Sequence, residues 1–353
     1  MLKIQEFIMS NPNWLEQLAR EPYSLRIKEK GNLVMFNYTQ GVSRPCDIVN
    51  EARDLILEKD SWRVVRYGFY RFYNLREEGA AELDFNSIEV QEKVDGSLVM
   101  FYWYFGWHMS TRSTFDAFEA DLPSGNGTFA DVIETAMENS NIDYEQFNIF
   151  YTYVFELVSP ETQVIIPYNE TKLYYLMTRN NNNLEESWNN IYNWPTFKTY
   201  SPRTMEEIEN FVNSFHGKDF EGVVVKDKFN NRVKVKNLYW LKLHKIFNNG
   251  RLTKETILEM LMSGEDREFL SYWPEKKEEF KDVKVWYNNL VARAELLDRK
   301  DFPAMYPNRK DFALYVNEHY SSKWRALMFK AYDGKAFPWV NGMNAKEFCR
   351  VFG

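Results

Sequence analysis

Residues 89–101, EVQEKVDGSLVMF, set a lysine and an aspartate between two apolar runs. A lysine in such a place is a candidate nucleophile, provided that its amine has lost its proton. The simpler interpretation is structural, because Asp95-Gly96 between strand-like runs is a hairpin signal and Lys93 would then stand in an exposed turn. Lys-x-Asp-Gly is weak support by itself, since about one chain in ten of this length contains it by chance.

Other charged residues stand beside apolar runs in a definite order along the chain. An arginine lies upstream in EARDLILE, and acids follow downstream in FELVSP and before GVVV, with two lysines in RVKVK. Those two lysines are two residues apart and therefore share one face of a strand. A solvated strand edge explains any one of these residues, but the ordered set predicts acids and cations around one nucleophile. The members are Arg53, Lys93, Glu156, Glu221, Lys234 and Lys236.

Short strands between about residues 30 and 245 must position this set. Their segments are rich in Val, Ile, Phe and Tyr and are bounded by Gly, Pro, Asn and Asp. The predicted strands are Leu33–Tyr38, Ile88–Gln91, Leu98–Tyr104, Ile149–Leu157, Leu173–Thr178, Gly222–Lys226 and Arg232–Lys236. Two helices interrupt them, one over Phe129 to about Asn139 and one that Thr204 and Glu207 cap and Gly217 ends.

The pattern becomes helical from Thr253 onward. Strands followed by a run of helices predict an α+β fold with a separate helical part. We therefore expect a domain of antiparallel sheets with flanking helices over residues 1–248. A small all-helical C-terminal domain is expected over residues 249–353.

Composition and charge limit the function classes. The net charge of −7 argues against a protein that coats nucleic acid indiscriminately. No apolar run approaches the ~18 residues of a membrane span, so we expect a soluble, cytoplasmic protein without membrane partners. Cys46 and Cys349 match no disulfide or metal spacing, and the four histidines show no zinc-binding spacing.

The ordered residues resemble the covalent nucleotidyltransferase superfamily of ATP-dependent ligases and mRNA capping enzymes. The closest likeness is to the T-even phage RNA ligase 1 family, over about residues 30–245. It runs through Phe36-Asn37-Tyr38, Arg53, Phe72-Tyr73-Asn74, KVDGSLV, FELVSPETQVIIPY, EGVVV, and VKVK followed by LKLH. The helical tail has only a general likeness, and it stands where DNA ligases and capping enzymes carry an OB-fold barrel.

The resemblance implies a nucleotidyltransferase domain that uses ATP and forms a covalent lysyl-AMP on Lys93. Lys234 and Lys236 would neutralise charge on the phosphates. An unperturbed lysine has a pKa near ~10.4, and we expect these two lysines, a metal ion and partial burial to lower the pKa of Lys93. Asp95 would contact the attacking 3′-hydroxyl, and Gly96 would let the backbone approach the nucleotide closely.

A hydrated Mg²⁺ or Mn²⁺ is the second expected cofactor. Asp95, Glu156 and Glu221 offer hard oxygen ligands of the kind that these cations prefer. The metal would lie beside the ATP phosphates, held through water. By resemblance, Glu156 would also contact the ribose.

Three arginines are expected at the outer part of the ATP site. By resemblance, Arg53 contacts the nucleotide or its phosphates, and family members tend to have glycine after it, where Asp54 stands here. Arg71 takes the place of a lysine that reaches the β- and γ-phosphates, and Arg112 that of another lysine. Arginine keeps the charge but changes its geometry.

The function implied is an ATP-dependent RNA ligase that seals 5′-phosphate and 3′-hydroxyl ends, with nicked tRNA as a favoured substrate in RNA repair. The host cytoplasm would be its location if a phage encodes it, and no obligate protein partner is evident. One alternative is an mRNA guanylyltransferase or DNA ligase of the same superfamily, which the helical tail disfavours. The other is a catalytically inactive RNA-binding module, which the complete set of charged motif residues disfavours.

Overall fold

A computed structural model describes residues 1–39, 43–122, 124–247, 252–263, 266, 269–270 and 276–353. The chain divides into two units, Met1–Lys245 and Ile246–Gly353. The boundary expected between residues 248 and 249 lies outside the described residues.

The first unit contains fourteen strands in three sheets within its described part. The strands are β1 (Leu25–Lys30), β2 (Leu33–Tyr38), β3 (Leu55–Glu58), β4 (Val64–Arg66), β5 (Tyr73–Asn74), β6 (Glu89–Glu92), β7 (Ser97–Trp103), β8 (Trp107–Thr111), β9 (Tyr151–Val158), β10 (Lys172–Asn180), β11 (Glu186–Ser187), β12 (Thr199–Tyr200), β13 (Gly222–Lys226) and β14 (Arg232–Lys236). The first sheet has the order β1-β2-β3-β4, the second β11-β10-β9-β7-β8 and the third β12-β6-β13-β14-β5. The described pairs are antiparallel except for β14 with β5, so the predicted α+β fold with antiparallel sheets is confirmed.

The β13–β14 hairpin shows why the lysines of RVKVK reach the site. Val223 pairs with Val235 and Val225 with Val233, and all four valines are buried in one apolar cluster. Because side chains alternate along a strand, Lys234 and the other cations of β14 point to the opposite face. The valines therefore anchor the strand while the cations stand on its other side.

Helices pack around the sheets of the first unit. They are α1 (Lys3–Ser10), α2 (Trp14–Ala19), α3 (Asp47–Glu51), α4 (Phe129–Asn139), α5 (Met205–Asn213) and α6 (Leu238–Phe247). The predicted capping box of α5 is confirmed, because Thr204 Oγ1 accepts from the Glu207 N–H and the Glu207 carboxylate accepts from the Thr204 N–H. The predicted stop at Gly217 is too late, since α5 ends at Asn213.

The simpler interpretation of Asp95-Gly96, an exposed hairpin turn, is wrong. Strand β6 pairs with β12 and β13 in the third sheet, whereas β7 pairs with β8 and β9 in the second. Residues 93–96 are thus the crossing between two sheets, and the Lys93 N–H donates to the Gly222 carbonyl (2.9 Å). A Cβ on Gly96 would lie 2.2 Å from the Leu157 carbonyl oxygen, so the close approach to β9 requires glycine here.

The described elements of the second unit are all helices. Its helices are α7 (Lys254–Ser263), α8 (Lys277–Asp298), α9 (Phe302–Met305), α10 (Arg309–His319), α11 (Ser322–Tyr332), α12 (Ala336–Asn341) and α13 (Ala345–Phe352). Leu327 and Met328 of α11 are buried, and the ring of Phe352 lies near those of Trp324 and Trp339. No described helix of the chain has the length and apolar character needed to cross a bilayer.

Candidate active site

Lys93 and Lys236 share one buried carboxylate. Lys93 follows β6, and its Nζ donates to Glu221 Oε2 at 2.8 Å. Lys236, at the end of β14, lies 2.9 Å from Glu221 Oε1. Glu221 is only 2% exposed, and each of its two oxygens is paired with one ammonium group. The structure thus brings Lys93 to the open end of the β13–β14 hairpin, where Glu221 and Lys236 lie.

The pKa of Lys93 differs in direction from the prediction. Burial lowers this pKa, but the negative charges of Glu221, Glu156 and Asp95 and the hydrogen bond to Glu221 outweigh burial and raise it above the ordinary value. The prediction that two lysines, a metal ion and partial burial lower this pKa is wrong for the protein without a metal ion, because the three carboxylates then act on Lys93 directly. In this arrangement Lys93 is an ammonium ion.

Asp95 is held by backbone groups. Its Oδ2 accepts from the N–H groups of Ile165 (2.9 Å) and Ile166 (2.8 Å), and its own N–H donates to Tyr168 Oη (3.3 Å). Burial, followed by the charge of Glu221, raises the pKa of Asp95 to about 6. The Asp95 side chain is therefore positioned by the segment after β9, which lies 70 residues farther along the chain.

Glu156, on β9, is the third acid beside Lys93. Burial raises its pKa to about 7, with Glu221 and Asp95 adding to the effect and Lys93 opposing it. No cluster of three or more metal-ligating side chains exists among the described residues. The expected trio of carboxylates is not a preformed metal site, because Glu221 is engaged by lysines and one Asp95 oxygen by N–H groups.

Lys234 contrasts with its neighbour Lys236. No carboxylate lies within 4.0 Å of Lys234 in the described part of the chain, and its Nζ stands 5.2 Å from the ring centre of Phe72. Burial, followed by the charges of Arg53, Lys93 and Lys236, lowers the pKa of Lys234 to about 7. An unpaired, half-buried cation of this kind is suited to binding an anion.

Arg53 lies beside Lys234 over the same aromatic ring. Its guanidinium carbon is 4.9 Å from the ring centre of Phe72 and 5.5 Å from that of Phe69. Asp54 takes φ +57°, the left-handed conformation that favours glycine. Asp54 Oδ1 accepts from the Gly68 N–H (2.9 Å), which helps an aspartate to stand where the family tends to have glycine.

Arg71 and Arg112 meet at a tyrosine. Their guanidinium carbons lie 4.0 Å and 4.4 Å from the ring centre of Tyr38, and that of Arg71 also lies 4.5 Å from the ring of Tyr73. Burial, followed by the charge of Arg53, is what lowers the pKa of Arg112, while Tyr38 opposes it. Neither arginine has an ion pair with a carboxylate in the described residues.

Sequence reasoning missed the residues that support this site. Tyr168 and the aromatic pair Phe69 and Phe72 had no predicted role, although IIPY and Phe72-Tyr73-Asn74 lie inside segments that carry the family resemblance. Their only signal was that position. What each one touches depends on how the sheets face one another, and spacing along the chain does not contain this information.

The chain is similar in sequence to known RNA ligases. A family model described as RNA ligase matches residues 51–245. The chain is 30% identical over 283 residues to a protein of Autographa californica nuclear polyhedrosis virus named as a bifunctional polynucleotide kinase/RNA ligase, covering 73% of this chain but 40% of that protein. It is 22% identical over 387 residues to the RNA ligase of Rhodothermus phage RM378, covering 88% of this chain and 87% of the phage protein.

Two solved structures are also similar to the chain. One is an archaeal ATP-dependent RNA ligase, with 13% identity, coverage of 79% of this chain and 76% of that chain, and a TM-score of 0.47. The other is a Naegleria gruberi RNA ligase with pyrophosphate, with 13% identity, coverage of 45% and 52%, and a TM-score of 0.33.

Proposed function

The chain belongs to the RNA ligase family, and from its site we propose that it is an ATP-dependent ligase that joins RNA 5′-phosphate and 3′-hydroxyl ends. The observation that carries the proposal is the Lys93–Glu221–Lys236 arrangement, with Glu156 and Asp95 beside it. A lysine nucleophile, a proton acceptor and phosphate-binding cations are the parts that a lysyl-AMP mechanism needs.

In the first step Lys93 Nζ attacks the α-phosphorus of ATP, the P–N bond forms, and the bond to pyrophosphate breaks. Before the attack, one proton of the Lys93 ammonium passes to Glu221 along their 2.8 Å hydrogen bond, and the second proton leaves the nitrogen of the new P–N bond with the departing pyrophosphate. Lys234, Lys236 and Arg53 balance the charge that develops on the departing phosphates. The ATP phosphates also compete with the carboxylates for these cations, which frees Glu221 to accept the proton.

A divalent cation, Mg²⁺ or Mn²⁺, fits the donor set through water. Glu156 has no ion pair among the described residues, and with Asp95 it offers the hard oxygens that such a cation takes. When bound, the cation would neutralise phosphate charge. Glu221 would contact the cation less directly, because both of its oxygens are already paired with lysines.

In the second step the RNA 5′-phosphate attacks the adenylate, the P–N bond breaks, and AMP moves to the RNA. In the third step the 3′-hydroxyl displaces AMP, and we assign Asp95 to accept a hydrogen bond from that hydroxyl. RNA repair in the host cytoplasm, with nicked tRNA as substrate, is the biological role that the family resemblance favours.

The second unit is proposed to set the choice of RNA. Every site residue named above precedes it, so the chain cut after about Asn249 should still adenylylate itself. The truncated protein should lose its preference for a nicked hairpin over a plain single strand. Equal discrimination between the two RNAs by full-length and truncated protein would contradict this role.

Incubation with labelled ATP or GTP and a divalent cation tests the proposal. Covalent label from ATP, together with sealing of an RNA with the two matching ends, is the expected result. Label from GTP would favour a guanylyltransferase. No label with either nucleotide would favour an inactive RNA-binding module.

A further inference from the structure

A buried carboxylate in the first unit lies between two guanidinium groups. The Nη2 atoms of Arg179 and Arg232 both donate to Glu186, and Arg232 Nη1 lies 3.5 Å from Glu186 Oε1. All three side chains are at most 8% exposed. We propose that Glu186 is a positioning residue for ATP: by holding Arg232 it fixes Lys234 where the phosphates bind. This inference rests on the proposed ligase function.

The three residues connect two sheets. Glu186 belongs to β11 and Arg179 to β10 in the second sheet, whereas Arg232 begins β14 in the third. Arg179 is held independently, because its Nε donates to the Gly68 carbonyl (2.8 Å) and its Nη1 to the Leu184 carbonyl (2.6 Å). Glu186 therefore ties the strand that carries the lysines to a fixed point on the opposite sheet.

The cations of β14 are paired unequally. Arg232, Lys234 and Lys236 alternate along the strand and so share one face. Glu186 pairs with the first and Glu221 with the last, whereas Lys234 has no carboxylate within 4.0 Å in the described ranges. Both ends of the cationic face are thus anchored, and the middle cation remains available to a ligand.

Aromatic rings link the anchored arginine to the phosphate-binding groups. The guanidinium carbon of Arg232 lies 5.4 Å from the ring centre of Phe69 and 5.9 Å from that of Phe72. The same two rings support Arg53, and Phe72 supports Lys234. If Arg232 lost its partner, its uncompensated charge would disturb the rings on which both phosphate-binding cations rest.

The test is Glu186→Gln in the full chain. The amide keeps the shape but removes the charge, so Arg232 loses a buried ion pair. We expect kcat/KM for self-adenylylation with ATP to fall by about tenfold or more, mainly through a higher KM. Sealing of pre-adenylated RNA should stay within about twofold, because no pyrophosphate takes part in that step.

Two further variants distinguish a positioning role of Glu186 from a general loss of protein stability. Glu209→Gln removes a carboxylate from an exposed pair with Arg76 and should leave both steps unchanged. Glu186→Met combined with Arg232→Met removes the two charges of this pair and leaves Arg179 bound to the Gly68 and Leu184 carbonyls. The anchor on β14 is still lost, so the high KM for ATP should persist. A normal KM for ATP in that double variant or in Glu186→Gln, or an equal loss in both steps, would overturn the inference. Absence of self-adenylylation in the unaltered protein would instead refute the ligase function.

Discussion

The two halves of the site hold their cations in opposite ways. In the inner half, Lys93 and Lys236 are each paired with one oxygen of Glu221, with Glu156 and Asp95 nearby. Among the described residues, the one carboxylate within 4.0 Å of the cations of the outer half is Asp54, at 3.9 Å from Arg53. Lys234 and the arginines rest instead on aromatic rings, Phe72 and Tyr38 among them.

The difference shows how a protein keeps a cation in place without cancelling its charge. A carboxylate orients an ammonium group but neutralises it, whereas a ring face attracts a cation by about 0.5–2 kcal/mol and leaves its charge for a ligand. The inner half is therefore suited to moving a proton, and the outer half to binding phosphates.

The largest effect is expected from Lys93→Arg. Arginine keeps the positive charge of the inner half, but its guanidinium is never usefully deprotonated, so labelling by ATP should fall to an undetectable level. Lys172→Arg, at a lysine paired with Glu170 on β10, should label normally. An adenylate bond that survives in Lys93→Arg would remove Lys93 from the nucleophile role.

Lys234→Ala should strongly impair self-adenylylation, because it removes a cation from the outer half of the site. Loss of one preorganised cation at a developing charge costs about a hundredfold in rate, and self-adenylylation should fall by this order. The matched control is Lys228→Ala, in the turn of the same hairpin, which removes a more exposed lysine paired with Asp84. Similar rates in the two variants would show that Lys234 does not contact the phosphates.

Asp95→Asn should separate self-adenylylation from the sealing of RNA ends. The amide still accepts the backbone hydrogen bonds from Ile165 and Ile166, so adenylylation should be retained about tenfold better than sealing. Pre-adenylated RNA bypasses the first step and should leave the sealing defect in place. Full rescue by that substrate would contradict the assigned contact with the 3′-hydroxyl.

The pH dependence of nucleotide binding should follow Lys234. With a pKa of about 7 in the free protein, Lys234 loses its proton as the pH rises, so the affinity for a non-hydrolysable ATP analogue should fall about fivefold between pH 7 and pH 8. Lys234→Arg keeps the charge and should flatten this profile in isothermal titration calorimetry. An equally steep profile in Lys234→Arg would assign the titration to another group.

Phe72→Leu should have the smallest effect. Leucine keeps an apolar side chain but loses the ring face under Arg53 and Lys234, and about 0.6 kcal/mol corresponds to an approximately threefold higher KM for ATP. Phe105→Leu, at a ring that is 88% exposed, is the control and should change nothing. An unchanged KM in Phe72→Leu would mean that rings do not hold these cations.

The elements and the charged residues of the site were largely predictable from local sequence. The strands Leu33–Tyr38, Gly222–Lys226 and Arg232–Lys236 and the helix Phe129–Asn139 have the predicted bounds, because alternation, capping and turn residues act locally. The Lys93–Glu221 contact joins residues that the resemblance had already marked.

Relations between sheets were not predictable in this way. Asp95-Gly96 has the local signature of a hairpin, yet the segment crosses between two sheets because β6 and β7 find their partners elsewhere in the chain. The direction of the Lys93 pKa depends on the same long-range arrangement, since Glu156 and Glu221 come from distant segments. Local patterns contain no measure of those distances.

Mapping of the attached AMP by mass spectrometry tests whether Lys93 is the nucleophile. The full chain is incubated with ATP and Mg²⁺, digested, and searched for peptides that carry AMP. We expect AMP on the peptide that contains Lys93, linked through its side-chain nitrogen. AMP attached to Lys234, Lys236 or any other residue, with Lys93 unmodified, would contradict this assignment.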